Sequence, residues 1–368
     1  HCFHIIVLRS TMSGTDHSER VGMVWIIITI GITLIIAATV ATMIAARRAD
    51  RHFFGKRYNG NPFVHYFEAK DFPGLQAQPI SFPSSSGISL RGYLYHAKGV
   101  QVRALTVFVH GLGAGHLAYT TEINFLANSG YLVLAFDMTG CGASEGNALL
   151  GFDQGPLDVS AALRFIGSQP RLAQFPVFLI GHSWGAYSVI NALPNYPGIA
   201  GAIAVCGFIS GASSVAQSFF GNFGFLSPLL SGWLWLFNRK RFGRNANQNA
   251  RSALQKTDCP LLLLYGGEDK IVRYRENGAR IRKAAEKQDN IKFLYFPHKG
   301  HNVYLSDRAE KALQTQLGNI PKAIRKDKLA LQKYYASLDY KLLTEEDMSV
   351  MSEITKFLDS CLEGFFAK

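Results

Sequence analysis

Cysteine is scarce in this chain and follows no pattern: five residues in 368, at Cys2, Cys141, Cys206, Cys259 and Cys361, an odd number without C-x-x-C spacing. That argues against a disulfide framework, and free thiols favour a reducing compartment. No internal repeat and no low-complexity tract is present, which excludes solenoid architectures and long disordered tracts. Carboxylates are in the minority, 26 against 38 Lys and Arg, for a formal net charge of +12. The densest basic clusters are Arg239-Lys240-Arg241 with Arg244, and Lys322, Arg325, Lys326 and Lys328. No recognition motif accompanies them, so nucleic acid is not an expected partner. They read either as a solvated helix face or as an attraction to anionic lipid headgroups.

Charge is missing altogether from Val21 to Ala46, where Trp25-Ile26-Ile27-Ile28 and Leu34-Ile35-Ile36 make the run strongly apolar. As a helix it extends roughly 39 Å, enough to cross a bilayer. A secretory signal peptide is the competing reading, but its apolar core would be shorter, and this run ends in Arg47-Arg48 instead of a small-residue cleavage site. A retained single-pass anchor in the cell membrane is therefore expected. Arg47, Arg48, Arg51, Lys56 and Arg57 follow the helix, whereas Arg9 and Arg20 precede it with Asp16 and Glu19, so the bias leans the C-terminal side toward the cytoplasm. Met12-Ser13-Gly14 reads as a natural start.

What the remaining chain does contain is a series of short apolar runs, each ending in a polar or glycine-rich turn. Phe178-Leu179-Ile180 leads into Gly181-His182-Ser183-Trp184-Gly185, a serine between two glycines after a short strand. A strand reversing sharply into a helix strains its turn residue, and flanking glycines leave room for the neighbouring chain. Alone the pattern is weak. Upstream, Ala104 to Val109 ends in His110-Gly111-Leu112-Gly113, whose backbone N–H groups are free to face a ligand oxygen. Downstream, Pro260 to Tyr265 ends in Gly266-Gly267-Glu268-Asp269, and Ile291 to Phe296 leads into Pro297-His298-Lys299-Gly300-His301-Asn302. The order is Ser, then acid, then His, which differs from the chymotrypsin and subtilisin orders. The residues alone leave Glu268 or Asp269 as the acid and His298 or His301 as the base.

These motifs, with Phe136-Asp137-Met138-Thr139-Gly140-Cys141-Gly142-Ala143-Ser144-Glu145-Gly146, resemble the α/β-hydrolase superfamily over roughly residues 80 to 368. Within it the chain is similar to the serine-hydrolase branch with monoacylglycerol-lipase-like and serine-aminopeptidase-like members. The resemblance implies a mostly parallel sheet with helices on both faces and a small cap insertion, here preceded by one transmembrane helix. The expected divisions are a tail at 1–20, a transmembrane helix at 21–46, a juxtamembrane linker at 47–79 and the hydrolase domain at 80–368, with the cap at 209–252 and an extra helical segment at 303–348. Cys141 and the length of that extra segment depart from the family pattern.

The resemblance favours Asp269 and His301, and gives Ser183, Asp269 and His301 as the triad. His301 would take the Ser183 proton while Asp269 fixes the imidazole tautomer. The oxyanion would be held by the backbone N–H groups of Leu112 and Trp184. His110 and Asp137 are expected to be structural. His298 and His301 lack the carboxylate or cysteine cluster that would complete a metal site, so neither metal nor cofactor is expected. Phe219, Phe220, Trp233 and Trp235 in the cap either pack on the sheet edge or line an acyl-binding lid. The expected activity is hydrolysis of carboxylic esters with a small-molecule or lipid-like acyl group. Peptidase, amidase, thioesterase and acyltransferase chemistry share the intermediate, and a catalytically silent, membrane-tethered binding module is the alternative of another class. Nothing in the sequence bears on oligomeric state.

Overall fold

The computed structural model describes residues 2–113, 115–220 and 227–367. Its strands are β1 Leu75–Pro83, β2 Ser89–Ala97, β3 Ala104–Val109, β4 Tyr131–Phe136, β5 Val177–His182, β6 Gly201–Val205, β7 Leu261–Gly266 and β8 Ile291–Phe296. The helices used below are α1 Cys2–Phe53, α2 Thr120–Asn128, α3 Gln154–Ser168, α4 Trp184–Ala192, α5 Gly211–Phe220, α6 Ser227–Phe242, α7 Gly278–Ala285 and α8 Met348–Phe366.

The strands make one sheet in the order β1-β2-β4-β3-β5-β6-β7-β8. The sheet starts as an antiparallel edge, with Leu75 paired to Ala97 and Pro83 to Ser89. Its turn is held by the Ile88 N–H donating to Ser84 Oγ at 3.1 Å. After β2 pairs antiparallel with β4, every remaining pair is parallel. The central strands β3, β5, β6 and β7 are almost entirely buried, which is why they read as unbroken apolar runs instead of alternating ones. Leu105, Val107 and Val109 face a core shared with α3, α4 and α7. Phe108, Ile180 and Leu264 face a second core beneath α2 and α8. Two such cores, one on each face, hold the C-terminal ends of the parallel strands in a row, and the loops leaving those ends carry the motifs.

The charge boundary at Arg47 does not end the first helix, which continues unbroken to Phe53. Ala and Arg are good helix formers, so a change from apolar to basic marks a change of surroundings and not of backbone. Ala46, Ala49 and Phe54 are buried in the main core, and Phe54 meets Phe152 edge-on at 5.2 Å. The segment expected as a linker at 47–79 is thus packed onto the domain. The Arg57 guanidinium donates to the carbonyls of Gly142, Ser144 and Gly146, and Tyr58 exchanges backbone hydrogen bonds with Gly140 and Gly142 at 3.0 Å. The sheet itself begins at Leu75, ahead of the boundary expected at 80.

Within the cap, α6 lies along the end of α1 and runs parallel to it: Trp233 Nε1 donates to Thr42 Oγ1 at 3.2 Å, Arg47 stands 5.4 Å from the Phe237 ring, and Arg241 forms a bidentate pair with Asp50. Buried Asp153, just before α3, ties the cap down by accepting from Asn238, from the Asn247 backbone and from Tyr187 of α4. The extra segment is a closed excursion, because its two ends meet: Ser306 N donates to Glu345 O and Asp347 N to Tyr304 O, both at 2.8 Å. It reaches back to the N-terminal stretch, stacking Tyr335 on Phe63 at 6.0 Å and Tyr340 against His65 at 5.6 Å.

Candidate active site

Ser183 occupies the turn between β5 and α4 at φ 56° and ψ −113°, a left-handed conformation that costs a non-glycine residue about 1–3 kcal/mol. The neighbours enforce it. A Cβ at Gly181 would come 2.3 Å from the Gly185 carbonyl oxygen, and one at Gly185 would come 1.9 Å from that of Val109. Ser183 N donates to Val205 O at 2.8 Å, which pins the turn to the end of β6. The Trp184 N–H opens α4, and the first N–H groups of a helix have no partner within it. The Trp184 indole is fully buried and donates to Phe152 O at 2.8 Å.

The loops after β7 and β8 bring Asp269 and His301 together, with His301 Nδ1 donating to Asp269 Oδ2 at 2.7 Å. The Asp269 side chain is 1% exposed and that of His301 11%. The other carboxylate oxygen of Asp269 accepts from the N–H groups of Ile271 and Val272 at 2.8 Å each, so the acid is fixed in orientation. The rivals are placed otherwise: Glu268 and His298 face each other at 3.7 Å in solvent. Lys299 anchors the histidine loop from beneath, pairing with Asp307 at 2.9 Å and Asp347 at 2.7 Å while donating to Leu305 O.

Cys206, at the end of β6 with φ 51°, is also buried here. Its sulfur, an Asp269 oxygen and a His301 nitrogen lie within 4.8 Å of one another, donor types that suit a metal. Both Asp269 oxygens and His301 Nδ1 are already hydrogen-bonded, and burial followed by the Asp269 charge pushes the Cys206 thiol well above its usual range, so it stays protonated.

The Gly111 turn lies against the elbow, since a Cβ on Gly111 would come 3.3 Å from the Ser183 Cβ. Leu112 follows it, partly buried against the main core. A hydrogen-bonded chain runs behind this contact. Gly111 N donates to the Tyr119 hydroxyl at 3.0 Å, and that hydroxyl meets His182 Nδ1 at 2.9 Å. His182 Nε2 then meets the His301 carbonyl at 3.1 Å. A carbonyl only accepts, so Nε2 carries the proton and Nδ1 accepts from Tyr119, which fixes every direction in the chain. Burial, reinforced by His301, holds His182 well below its ordinary value and keeps it neutral. Tyr119 and His182 thus join the candidate oxyanion loop to the backbone of the histidine loop. His182 lies inside the Gly181–Gly185 motif, but Tyr119 carries no sequence signal.

The remaining polar groups are structural. Asp137 accepts from the His116 N–H, the His116 ring and the Ala143 N–H, all at 2.8 Å. Burial is the largest single influence and works against its charge, but the His116 hydrogen bond, the His116 and His110 charges and the Ala143 N–H together outweigh it and hold the carboxyl at about 2. His110 Nε2 accepts from Met138 N at 2.9 Å, and burial lowers the ring below its usual range. Of the cap candidates, Trp233 is directed to α1, while Trp235 and Phe219 are about half exposed. The Phe220 side chain lies outside the described residues. Phe152 and Phe208, 5.0 Å apart, are the aromatics that pack beside the elbow. A groove of about 940 Å³ lies at the opposite ends of β6 and β7, against Ile199, Lys256 and Phe357, far from Ser183.

An eight-stranded, mostly parallel sheet with a strained serine after β5 and an acid–histidine pair after β7 and β8 is the α/β-hydrolase fold. Within that class, residues 100–243 match the family described as serine aminopeptidase, S33. Among solved structures the chain is similar to the esterase Pf2001 of Pyrococcus furiosus. One crystal form shares 21% identity over 67% of this chain and 91% of that one, with a TM-score of 0.53. Another shares 19% over 72% and 96%, with a TM-score of 0.54. At that identity the likeness establishes the fold. Comparison with curated proteins found no match.

Proposed function

We propose that this protein is a membrane-anchored serine hydrolase that cleaves carboxylic esters with acyl or lipid-like groups. The observation that carries the reading is the buried Asp269–His301 hydrogen bond at 2.7 Å, in the loops beside a serine held at positive φ. Ser183 Oγ attacks the ester carbonyl while His301 Nε2 takes its proton, and Asp269 stabilises the imidazolium through Nδ1. The Leu112 and Trp184 N–H groups receive the developing oxyanion. His301 then protonates the leaving alcohol, and a water activated by the same nitrogen releases the acid from the acyl-enzyme. No cofactor enters these steps.

Anchoring is supported by the helix from Ser18 to Phe53, which holds an exposed, apolar stretch of 18 residues. A signal sequence would be cut away, whereas here Ala46, Ala49 and Asp50 at its end are built into the core and the cap. Arg47, Arg48 and Arg51 favour a cytoplasmic catalytic domain.

The test is fluorophosphonate labelling of the detergent-solubilised protein beside Ser183→Ala, followed by p-nitrophenyl esters of increasing acyl length. Labelling of the parent alone, with an optimum in acyl length, is the expected result. Folded parent that takes no label would refute catalysis and favour a membrane-tethered binding module. The matched family's description as an aminopeptidase favours one second reading, amide cleavage. An aminoacyl p-nitroanilide turned over faster than the best ester would establish it.

A further inference from the structure

The cap helix and the anchor helix change character at the same level. The hydrogen-bonded pairs that join α1 and α6, Thr42 with Trp233 and Asp50 with Arg241, are both 191 residues apart, and Arg47 with Phe237 keeps that register to within one residue. On this register Ala46, the last residue of the uncharged run, is level with Phe237. The first charge on α6 is Arg239, two residues further on. Above that level α6 is as free of charge as α1, and from Gly211 to Asn238 the sequence holds no Asp, Glu, Lys, Arg or His. Beyond it, Arg47, Arg48 and Arg51 on one helix stand with Arg239, Lys240 and Arg241 on the other.

A cap helix bathed in water would expose charges along its outer face. Instead α6 exposes Leu229, Trp235 and Leu236, each about half accessible, beside exposed Ile35, Ile36, Val40 and Ile44 of α1. The tryptophans fit the same frame. Trp25 lies five residues after Arg20, while Trp233 and Trp235 are level with Thr42 and Ile44, just inside Arg47. Tryptophan gathers at both membrane–water interfaces, and basic residues gather just beyond them.

We propose that the cap helix α6 is embedded in the bilayer beside α1, with the shared basic collar at the headgroups and the apolar side chains of α6 among the acyl chains. From Ser227 to Phe237 the embedded stretch of α6 rises about 16 Å, roughly half the hydrocarbon thickness. The partner is the lipid leaflet itself, so an acyl ester reaches the cap from within the membrane. The inference rests on the proposed anchoring, and the experiment separates the two.

The chain has four tryptophans, Trp25, Trp184, Trp233 and Trp235, of which Trp184 is fully buried and supplies a constant background. The full chain is reconstituted in phosphatidylcholine–phosphatidylglycerol vesicles with and without bromine on the acyl chains near the headgroup. W25F/W233F reports on Trp235 and W233F/W235F on Trp25, with circular dichroism to check folding. W25F alone, reporting on Trp233 and Trp235 together, serves if the loss of the Trp233–Thr42 bond unfolds the double variant. The expected result is at least twofold quenching of both the Trp235 and the Trp25 signals by brominated lipid, with Trp235 shielded from aqueous iodide. Quenching of Trp25 with Trp235 unquenched and open to iodide would overturn the embedded cap and leave the anchor standing. Quenching of Trp235 alone would support the cap and overturn the spanning helix. Quenching of neither overturns both.

Discussion

Replacing Tyr119 by Phe removes one oxygen and orphans two buried groups, the Gly111 N–H and the His182 Nδ1 lone pair. Neither has water to turn to, since Gly111, Tyr119 and His182 are all buried. Each unpaired buried group costs about 1–3 kcal/mol, and the variant no longer desolvates a hydroxyl, so a net loss of about 3 kcal/mol is expected. For a domain of this size that lowers the Tm by about 6–12 °C. The catalytic effect follows from position. Gly111 leads the candidate oxyanion loop, and full loss of one oxyanion donor costs roughly 100–1000-fold in kcat. A displaced loop should lose part of that, roughly 10–100-fold in kcat, with KM little changed because the donors act on the transition state. Thermal unfolding and p-nitrophenyl ester kinetics of the detergent-solubilised protein measure both. A variant with a Tm within 1 °C of the parent and kcat within twofold would refute the reasoning, because the Gly111–Tyr119–His182 chain would then hold nothing in place.

Asp269→Asn keeps the shape of the pair but no longer selects the imidazole tautomer, and should lower kcat about 10⁴-fold with the fold intact, as read by ester kinetics and circular dichroism. Gly185→Ala places a methyl 1.9 Å from Val109 O, so the variant should lose fluorophosphonate labelling and melt lower by 10 °C or more, on the order of 3–4 kcal/mol. Glu346 is raised above its ordinary 4.5 by burial and then by Glu122, and its Oε1 is buried with no partner among the described residues. The folded chain therefore keeps a proton that the unfolded chain releases; this contribution is fully present below about 4.5 and is lost as pH rises through the raised value. Glu346→Gln, which never titrates, should gain stability over the parent between pH 5 and pH 8, by up to about 1.4 kcal/mol per pH unit, and an equal difference in Tm at the two pH values would exclude titration of Glu346.

The sheet was legible because burial on both faces leaves strands such as Ala104–Val109 and Leu261–Gly266 almost no polar positions, and the turns after them carry the motifs in chain order. The choice of Asp269 over Glu268 was not a matter of residue type, since the two carboxylates are adjacent; it depends on which one turns inward to the Ile271 and Val272 N–H groups. Tyr119 and Cys206 were not legible, because each reaches the site by topology. Tyr119 arrives from the segment after β3, and Cys206 follows the last residue of the strand beside β5. The cap aromatics were found as a group, but their directions depend on α1, whose register with α6 no periodicity reveals. The closure of the extra segment is likewise long-range, resting on the bridge between Leu305 and Glu346.

The continuity of α1 with the core bears on how this domain could be obtained without the apolar part of that helix. Cutting at the charge boundary would take Ala46 out of a closed core and strip α6 of the helix that covers Trp233, leaving an apolar stripe bare on the cap. Trimming one end would therefore leave the domain prone to aggregation. A form that stays in solution has to keep the last turns of α1 from Thr42 onward and recolour Leu229, Trp235 and Leu236 at the same time.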